Sequence, residues 1–163
     1  MRSPGVLAAA TLLLALPAAT GSAAPATPRC PSTKLFAQIV PGSPGAGQRY
    51  ATLTFTNYSK ATCHLHGYPG AQLIRDGEHV PTDVVRNPAT ITDAVLAPGQ
   101  KAVSTFHWTV VASGDEPTTG PCEPRAKRIR VTPPGALKAH RLEWHLGVVC
   151  DRGRIDVTPM AAG

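Results

Sequence analysis

The stretch from residue 49 to residue 70 constrains this chain more than any other. Its first half alternates, with Ala51, Leu53 and Phe55 on one side and Thr52, Thr54 and Thr56 on the other. That is the period of a strand with one face buried and one face wet. Asn57, Ser59 and Lys60 then interrupt the alternation as a turn does. Cys63 begins a second short extended segment, which closes on the stiff corner Gly67-Tyr68-Pro69-Gly70. A strand that is wet on one face only must have its other face covered, so later segments are required to pack on it. The stretch holds no catalytic grouping.

The remainder reads the same way. Seventeen prolines and fifteen glycines, most of them beyond residue 30, separate short β-rich runs. Residues 34–40 place Leu35, Ala37 and Ile39 on one face. Residues 71–75 lead into Asp76-Gly77, a pair that suits a two-residue hairpin turn because both residues tolerate positive φ; residues 78–80 return from it. Residues 81–93 are ambiguous, since Pro81 and Pro88 oppose a central strand. Residues 94–96 run into Ala97-Pro98-Gly99-Gln100, where Pro and Gly fit the central positions of a type II turn. Residues 101–111 form the longest strand, with Ala102, Ser104, Phe106, Trp108 and Val110 as its core face.

After a polar loop over residues 112–124, residues 126–132 turn Ile129 and Val131 inward and Arg128 and Arg130 outward. Residues 141–150 are expected to form a strand with Leu142, Trp144, Leu146 and Val148 on one face. Asp151-Arg152-Gly153 then turns the chain into residues 154–158, with Ile155 and Val157 inward. No segment from Pro31 onward shows a helical period. Eight or nine short strands between turn signals predict an all-β chain built as an antiparallel β-sandwich, with Leu53, Phe55, Phe106, Trp108, Trp144 and Leu146 in one core.

The N-terminus carries Arg2, an apolar run over residues 6–16 and a tail of small residues through Ala26, the arrangement of a secretory signal peptide. The run is shorter than the roughly 20 residues a spanning helix needs. Cleavage after Ala24 or Ala26 fits equally. With a leader of residues 1–26, residues 27–163 remain as a single secreted β-sandwich domain, extracellular or at the cell envelope. Removing Arg2 leaves fifteen basic against ten acidic residues, a net charge of +5. The four cysteines are an even count in an exported chain and contain no Cys-x-x-Cys pair, which favours two disulfides over a zinc site. Three connectivities are open. Cys30 with Cys63 and Cys122 with Cys150 is preferred, because each pair joins extended segments able to lie side by side.

Three pieces carry a resemblance: residues 47–57 (Gly-Gln-Arg-Tyr-Ala-Thr-Leu-Thr-Phe-Thr-Asn), residues 63–70 (Cys-His-Leu-His-Gly-Tyr-Pro-Gly) and Leu96-Ala97-Pro98-Gly99. Together they resemble a family of secreted proteins of Gram-positive bacteria known as domain-of-unknown-function family 4232, over roughly residues 30–160. The resemblance implies an immunoglobulin-like sandwich with disulfides, exported to the envelope or medium, and no activity. His64 and His66 depart from its pattern.

Several groupings have a chemical reading beside a plain one. His64 and His66 are two apart on an extended segment, so both imidazoles leave one face and form a candidate copper or zinc pair, with His107 or Met160 as third ligand. Without a third ligand they are ordinary solvent-facing residues, so no metal and no cofactor is assigned. Arg125, Lys127, Arg128, Arg130, Lys138 and Arg141 form a basic group suited to weak contact with anionic surfaces, or simply a solvated face. No aromatic residues interleave with these cations, and nucleic acid is not an expected partner. No serine lies in a Gly-x-Ser-x-Gly elbow, and paired cysteines offer no thiolate, so no enzyme is expected. Asn57-Tyr58-Ser59 matches a glycosylation sequon but reads as an unmodified turn. The expected function is a secreted non-catalytic domain that binds an unknown envelope or extracellular ligand, with a metal-binding protein as the alternative.

Overall fold

The computed structural model describes residues 26–163, so the expected leader lies, but for its last residue, outside the described residues. One 3-10 turn, Ser32–Lys34, precedes twelve strands: β1 (Leu35–Pro41), β2 (Gln48–Asn57), β3 (Cys63–His66), β4 (Gly70–Arg75), β5 (Glu78–His79), β6 (Asp83–Arg86), β7 (Asp93–Leu96), β8 (Lys101–Thr109), β9 (Arg128–Thr132), β10 (His140–Glu143), β11 (Arg154–Val157) and β12 (Ala161–Ala162). The described chain is all-β. The count exceeds the expected eight or nine because β5 and β12 are two-residue strands and β6 emerges from the segment whose prolines left it ambiguous. Among the described residues no helix is long and apolar enough to cross a membrane.

Strand β2 lies at the heart of the larger sheet, ordered β1-β2-β8-β11-β6, with β12 also paired to β8. It pairs β8 from Gln48 opposite Thr109 to Thr56 opposite Lys101. The alternation of both strands is obeyed: Ala51, Leu53, Phe55, Ala102, Phe106 and Trp108 are buried, while Thr52, Thr54 and Thr56 lie on the other face. A second sheet, β10-β9-β4-β5, turns Leu73, Ile129 and Val131 inward, and the pair β3-β7 adds Leu65, Ala94 and Leu96. All of these side chains join one buried cluster, so the two larger sheets share a core. Burying a Leu, Phe or Val contributes about 1.5–3 kcal/mol each, which makes this cluster the main source of stability.

Local turn chemistry is as the residues dictate. Asp76 and Gly77 both have positive φ, at 49° and 93°. Gly99 has φ 82°, and the Gln100 N–H donates to the Ala97 carbonyl at 3.0 Å. The disulfides are Cys30–Cys63 and Cys122–Cys150, with Cα separations of 4.9 and 5.5 Å.

Two expectations are corrected. The strand over residues 141–150 ends at Glu143: Gly147 takes φ 89° and its carbonyl accepts from Trp144 Nε1 at 2.8 Å, so the chain bends back on its own indole. The alternation slips as a result, leaving Val149 buried and Val148 and Leu146 only partly so, although Leu146 still packs on the core. The sandwich is not wholly antiparallel, since β6 and β11 run parallel, Asp83 opposite Arg154 through Arg86 opposite Val157. Gly153, at φ 78°, permits that approach, because a Cβ there would collide with the Pro81 carbonyl. Asn57 closes β2 as expected and its Oδ1 accepts from the Ser59 N–H at 3.0 Å in the turn that follows, while its side chain is fully buried.

Candidate functional site

The outer face of the four-stranded sheet is where the basic residues collect. Strand β9 alternates, so with Ile129 and Val131 committed to the core, Arg128 and Arg130 must face outward. Antiparallel pairing with β10 then sets Arg141 directly opposite Arg130 and Glu143 directly opposite Arg128. On the other side β4 sets Ile74 opposite Arg128, and β5 sets His79 opposite Ile74. These side chains, with Asp76, Gly77 and Lys127 from the hairpin and the start of β9, line a groove of about 370 Å3.

The charges in the groove divide into two kinds. Arg128 Nε donates to Glu143 Oε1 at 3.1 Å, and Lys127 Nζ donates to Asp76 Oδ1. The Lys127 hydrogen bond, aided by Arg75, holds the Asp76 carboxyl below its ordinary range. Arg130 and Arg141 are different: among the described residues neither has a carboxylate within ion-pair distance. Like charges directly opposite each other on one face destabilise a sheet. Four cations against two carboxylates leave the lining at +2. A shallower depression of about 830 Å3, lined in part by Arg75, Arg125, Trp144 and His145, adjoins the groove and shares Lys127 and Glu143 with it.

Of the basic group read from the sequence, Lys127, Arg128, Arg130 and Arg141 are brought together and Arg125 stands in the neighbouring depression. Lys138 is not; it borders a separate hollow with Ser32, Phe36 and Tyr58. Sequence reasoning missed Ile74, Asp76, His79 and Glu143 as walls of the groove. The Asp76-Gly77 hairpin signal was the one clue, since it folds β4 and β5 onto the flank of β9.

The histidines are arranged otherwise. His64 and His66 do share the outward face of β3, but His64 Nδ1 donates to the Thr27 carbonyl at 2.8 Å and His66 Nδ1 to Asp93 Oδ1 at 2.7 Å. His107 lies on β8, stacked on Tyr50 with a centroid distance of 4.6 Å and bonded to Gln48. Met160 is buried in the core. Among the described residues, the one set of three ligand-type side chains whose donor atoms converge within 4.8 Å is Glu116, Cys122 and Cys150. Its two sulfurs are joined to each other, so they offer no thiolate to a metal.

The other cluster of titratable groups surrounds that disulfide. Glu116 accepts from the backbone N–H groups of Ser113, Asp151 and Arg152 at 2.8, 3.0 and 2.8 Å. Burial works to raise its carboxyl, but these donors prevail and hold it below the ordinary range. Burial and the neighbouring Glu116 push Glu123 up. Glu116 ties the loop over residues 112–124 to the left-handed turn at Asp151 and Arg152, which is a structural task.

A family model described as Domain of unknown function (DUF4232) matches residues 30–161. No curated protein and no solved structure matches the chain.

Proposed function

We propose, for a chain that belongs to the family described as Domain of unknown function (DUF4232), an exported, non-catalytic binding domain whose ligand site is the groove on the outer face of β10-β9-β4-β5. The observation that carries this reading is the pair Arg130 and Arg141, opposite each other at the groove without a carboxylate. Placing two cations side by side costs stability, and an anionic ligand removes that cost. Export is supported by the leader-like residues 1–26 and by two disulfides, which persist in oxidising compartments.

The non-catalytic reading is supported by the state of the usual nucleophiles. All four cysteines are paired. Ser104 is buried and donates to the Thr158 carbonyl at 2.7 Å. The carboxylates nearest the groove, Asp76 and Glu143, are each held by a cation. Nucleic acid fits poorly as a partner, because the exposed aromatics Phe36, Tyr50 and Tyr58 lie on or just beyond β1 and β2 of the other sheet and provide no stacking surface beside the arginines.

The test has two parts. Cell fractionation should find the processed chain in the medium or envelope. Amide spectra of the chain, titrated with separated lipid, polysaccharide and small-molecule fractions of the envelope, should shift saturably at Ile74, His79, Arg130 and Arg141. Saturable shifts confined to the outer face of β1-β2-β8 would overturn the assignment of the groove.

A further inference from the structure

We propose that the group this groove takes is a phosphate monoester, seated between the guanidinium groups of Arg130 and Arg141 with its organic substituent over Ile74. The inference rests on the groove being the binding site and goes further, to the chemistry of the ligand.

The cross-strand register makes Arg130 and Arg141 leave the same face of the sheet side by side. Each guanidinium presents a planar fork of N–H donors that matches two oxygens of an anion. A carboxylate has two oxygens and one charge, so it satisfies one fork and leaves the second cation without a counter-charge. A phosphate monoester has three terminal oxygens and a charge of about −1.5 to −2 at neutral pH, enough to engage both forks. That charge also matches the +2 of the lining, four cations less two carboxylates.

The walls favour the same chemistry. Asp76 and Glu143 are already neutralised by Lys127 and Arg128, so they mark the ends of the site without repelling one bound anion strongly. Ile74 gives an apolar floor beside the arginines, with its cross-strand partner His79 at its flank. A groove of about 370 Å3 suits a phosphate with a short substituent, small-ligand sites being roughly 300–1,000 Å3. A longer substituent has an exit into the adjoining depression past Lys127 and Glu143.

The experiment uses the whole chain expressed into an oxidising compartment and follows amide shifts with five probes. These are glycerol 3-phosphate, inorganic phosphate, succinate, and phosphatidylcholine vesicles carrying either phosphatidic acid or phosphatidylglycerol. Succinate has a similar charge without the tetrahedral oxygens; the phosphatidylglycerol headgroup is a diester. Glycerol 3-phosphate should bind at least about tenfold tighter than succinate. The double variant Arg130→Ala, Arg141→Ala should lose about tenfold or more, and Arg130→Lys, Arg141→Lys should also weaken, because it keeps the charge and loses the forks. Melting temperature checks the fold, and removing like charges should leave it unchanged or raise it. Binding to phosphatidic acid vesicles but not to glycerol 3-phosphate supports the proposal and assigns the source to a lipid headgroup; soluble binding assigns it to a free phosphomonoester. Equal affinity for succinate, or a lysine variant that binds like the parent, overturns it. Shifts at these amides by an envelope component without phosphate would sink this inference and leave the groove as the site. Silence there toward every probe and every envelope fraction would sink both.

Discussion

Trp108 and Trp144 hold their indole centroids 5.1 Å apart, tilted by 47°, across the gap between the two sheets. Their ring nitrogens reach the same short segment: Trp108 Nε1 donates to the Val148 carbonyl at 3.1 Å and Trp144 Nε1 to the Gly147 carbonyl at 2.8 Å. The pair therefore does two jobs, filling the core and fastening the irregular chain that leads to Cys150. Trp108→Ala or Trp144→Ala is expected to cost about 3–5 kcal/mol, a large share of the 5–15 kcal/mol of a small domain. Phe in place of either should recover part of the packing but not the carbonyl partner. Urea denaturation of the four single variants and the double alanine variant measures this. Because the rings touch, the double variant should lose less than the sum of the singles.

Asn57 is fully buried and every polar atom of its amide is used. Its Nδ2 donates to the carbonyls of Ala61 and Leu96 at 2.8 and 2.9 Å, and its Oδ1 accepts from Ser59 N at 3.0 Å. It thus joins the end of β2 to β7 and shapes the turn after it. Asn57→Ala should lower stability by about 1–3 kcal/mol, the cost of leaving buried partners unpaired. Asn57→Asp should be at least as harmful, since it removes two donors and buries a charge. A melting curve within a degree of the parent for either variant would contradict this account.

The disulfides close loops of 33 and 28 residues. Restriction of the unfolded chain should contribute about 3–4 kcal/mol for each. Paired Cys→Ser variants test them separately. Loss of Cys30–Cys63 should free the N-terminal segment from β3, where Cys30 N donates to the His64 carbonyl at 3.0 Å. That segment should then exchange its amides faster than the rest.

His140 supplies a pH dependence. It sits on the inward side of β10 near the Phe55 ring at 5.7 Å, with Ser32 Oγ 3.1 Å from its Nε2. Burial lowers its pKa from 6.5, more than the Ser32 contact raises it, and Lys138 adds to the lowering. The unfolded chain therefore takes up a proton before the folded one does. Stability from this source is complete above pH 6.5 and is lost as pH falls below 6.5 toward the folded value. His140→Gln should lessen the loss of melting temperature as pH falls below 6.5 relative to the parent. A parent profile that instead falls as pH rises toward 6.5 would refute the assignment.

Some of this was determined by the sequence alone, because it depends on neighbours along the chain. Period-two alternation decides which side chains of β2, β8 and β9 are buried, so Leu53, Phe55, Phe106, Trp108, Ile129 and Val131 were legible as core. Asp76-Gly77 and Pro98-Gly99 carry their own backbone preferences and turned where they stood. The preferred cysteine pairing held, although Cys122 and Cys150 both lie outside the strands rather than on paired extended segments. The rest depends on which strands meet, and no local pattern encodes that. Arg130 and Arg141 were visible as outward cations, yet only the β9–β10 register makes them opposite partners, and only the β4–β5 hairpin gives them a floor. Trp144 read as one more residue of a long strand, but β10 ends at Glu143, and the Trp144 indole packs on Trp108 in the core while the chain at Gly147 folds back to its ring nitrogen. Asn57 was legible as the end of β2 and the start of a turn, but its burial and its bond to the Leu96 carbonyl, 39 residues away, were not. The parallel pairing of β6 with β11 was equally hidden, because it hangs on Gly153 leaving room for Pro81 to approach.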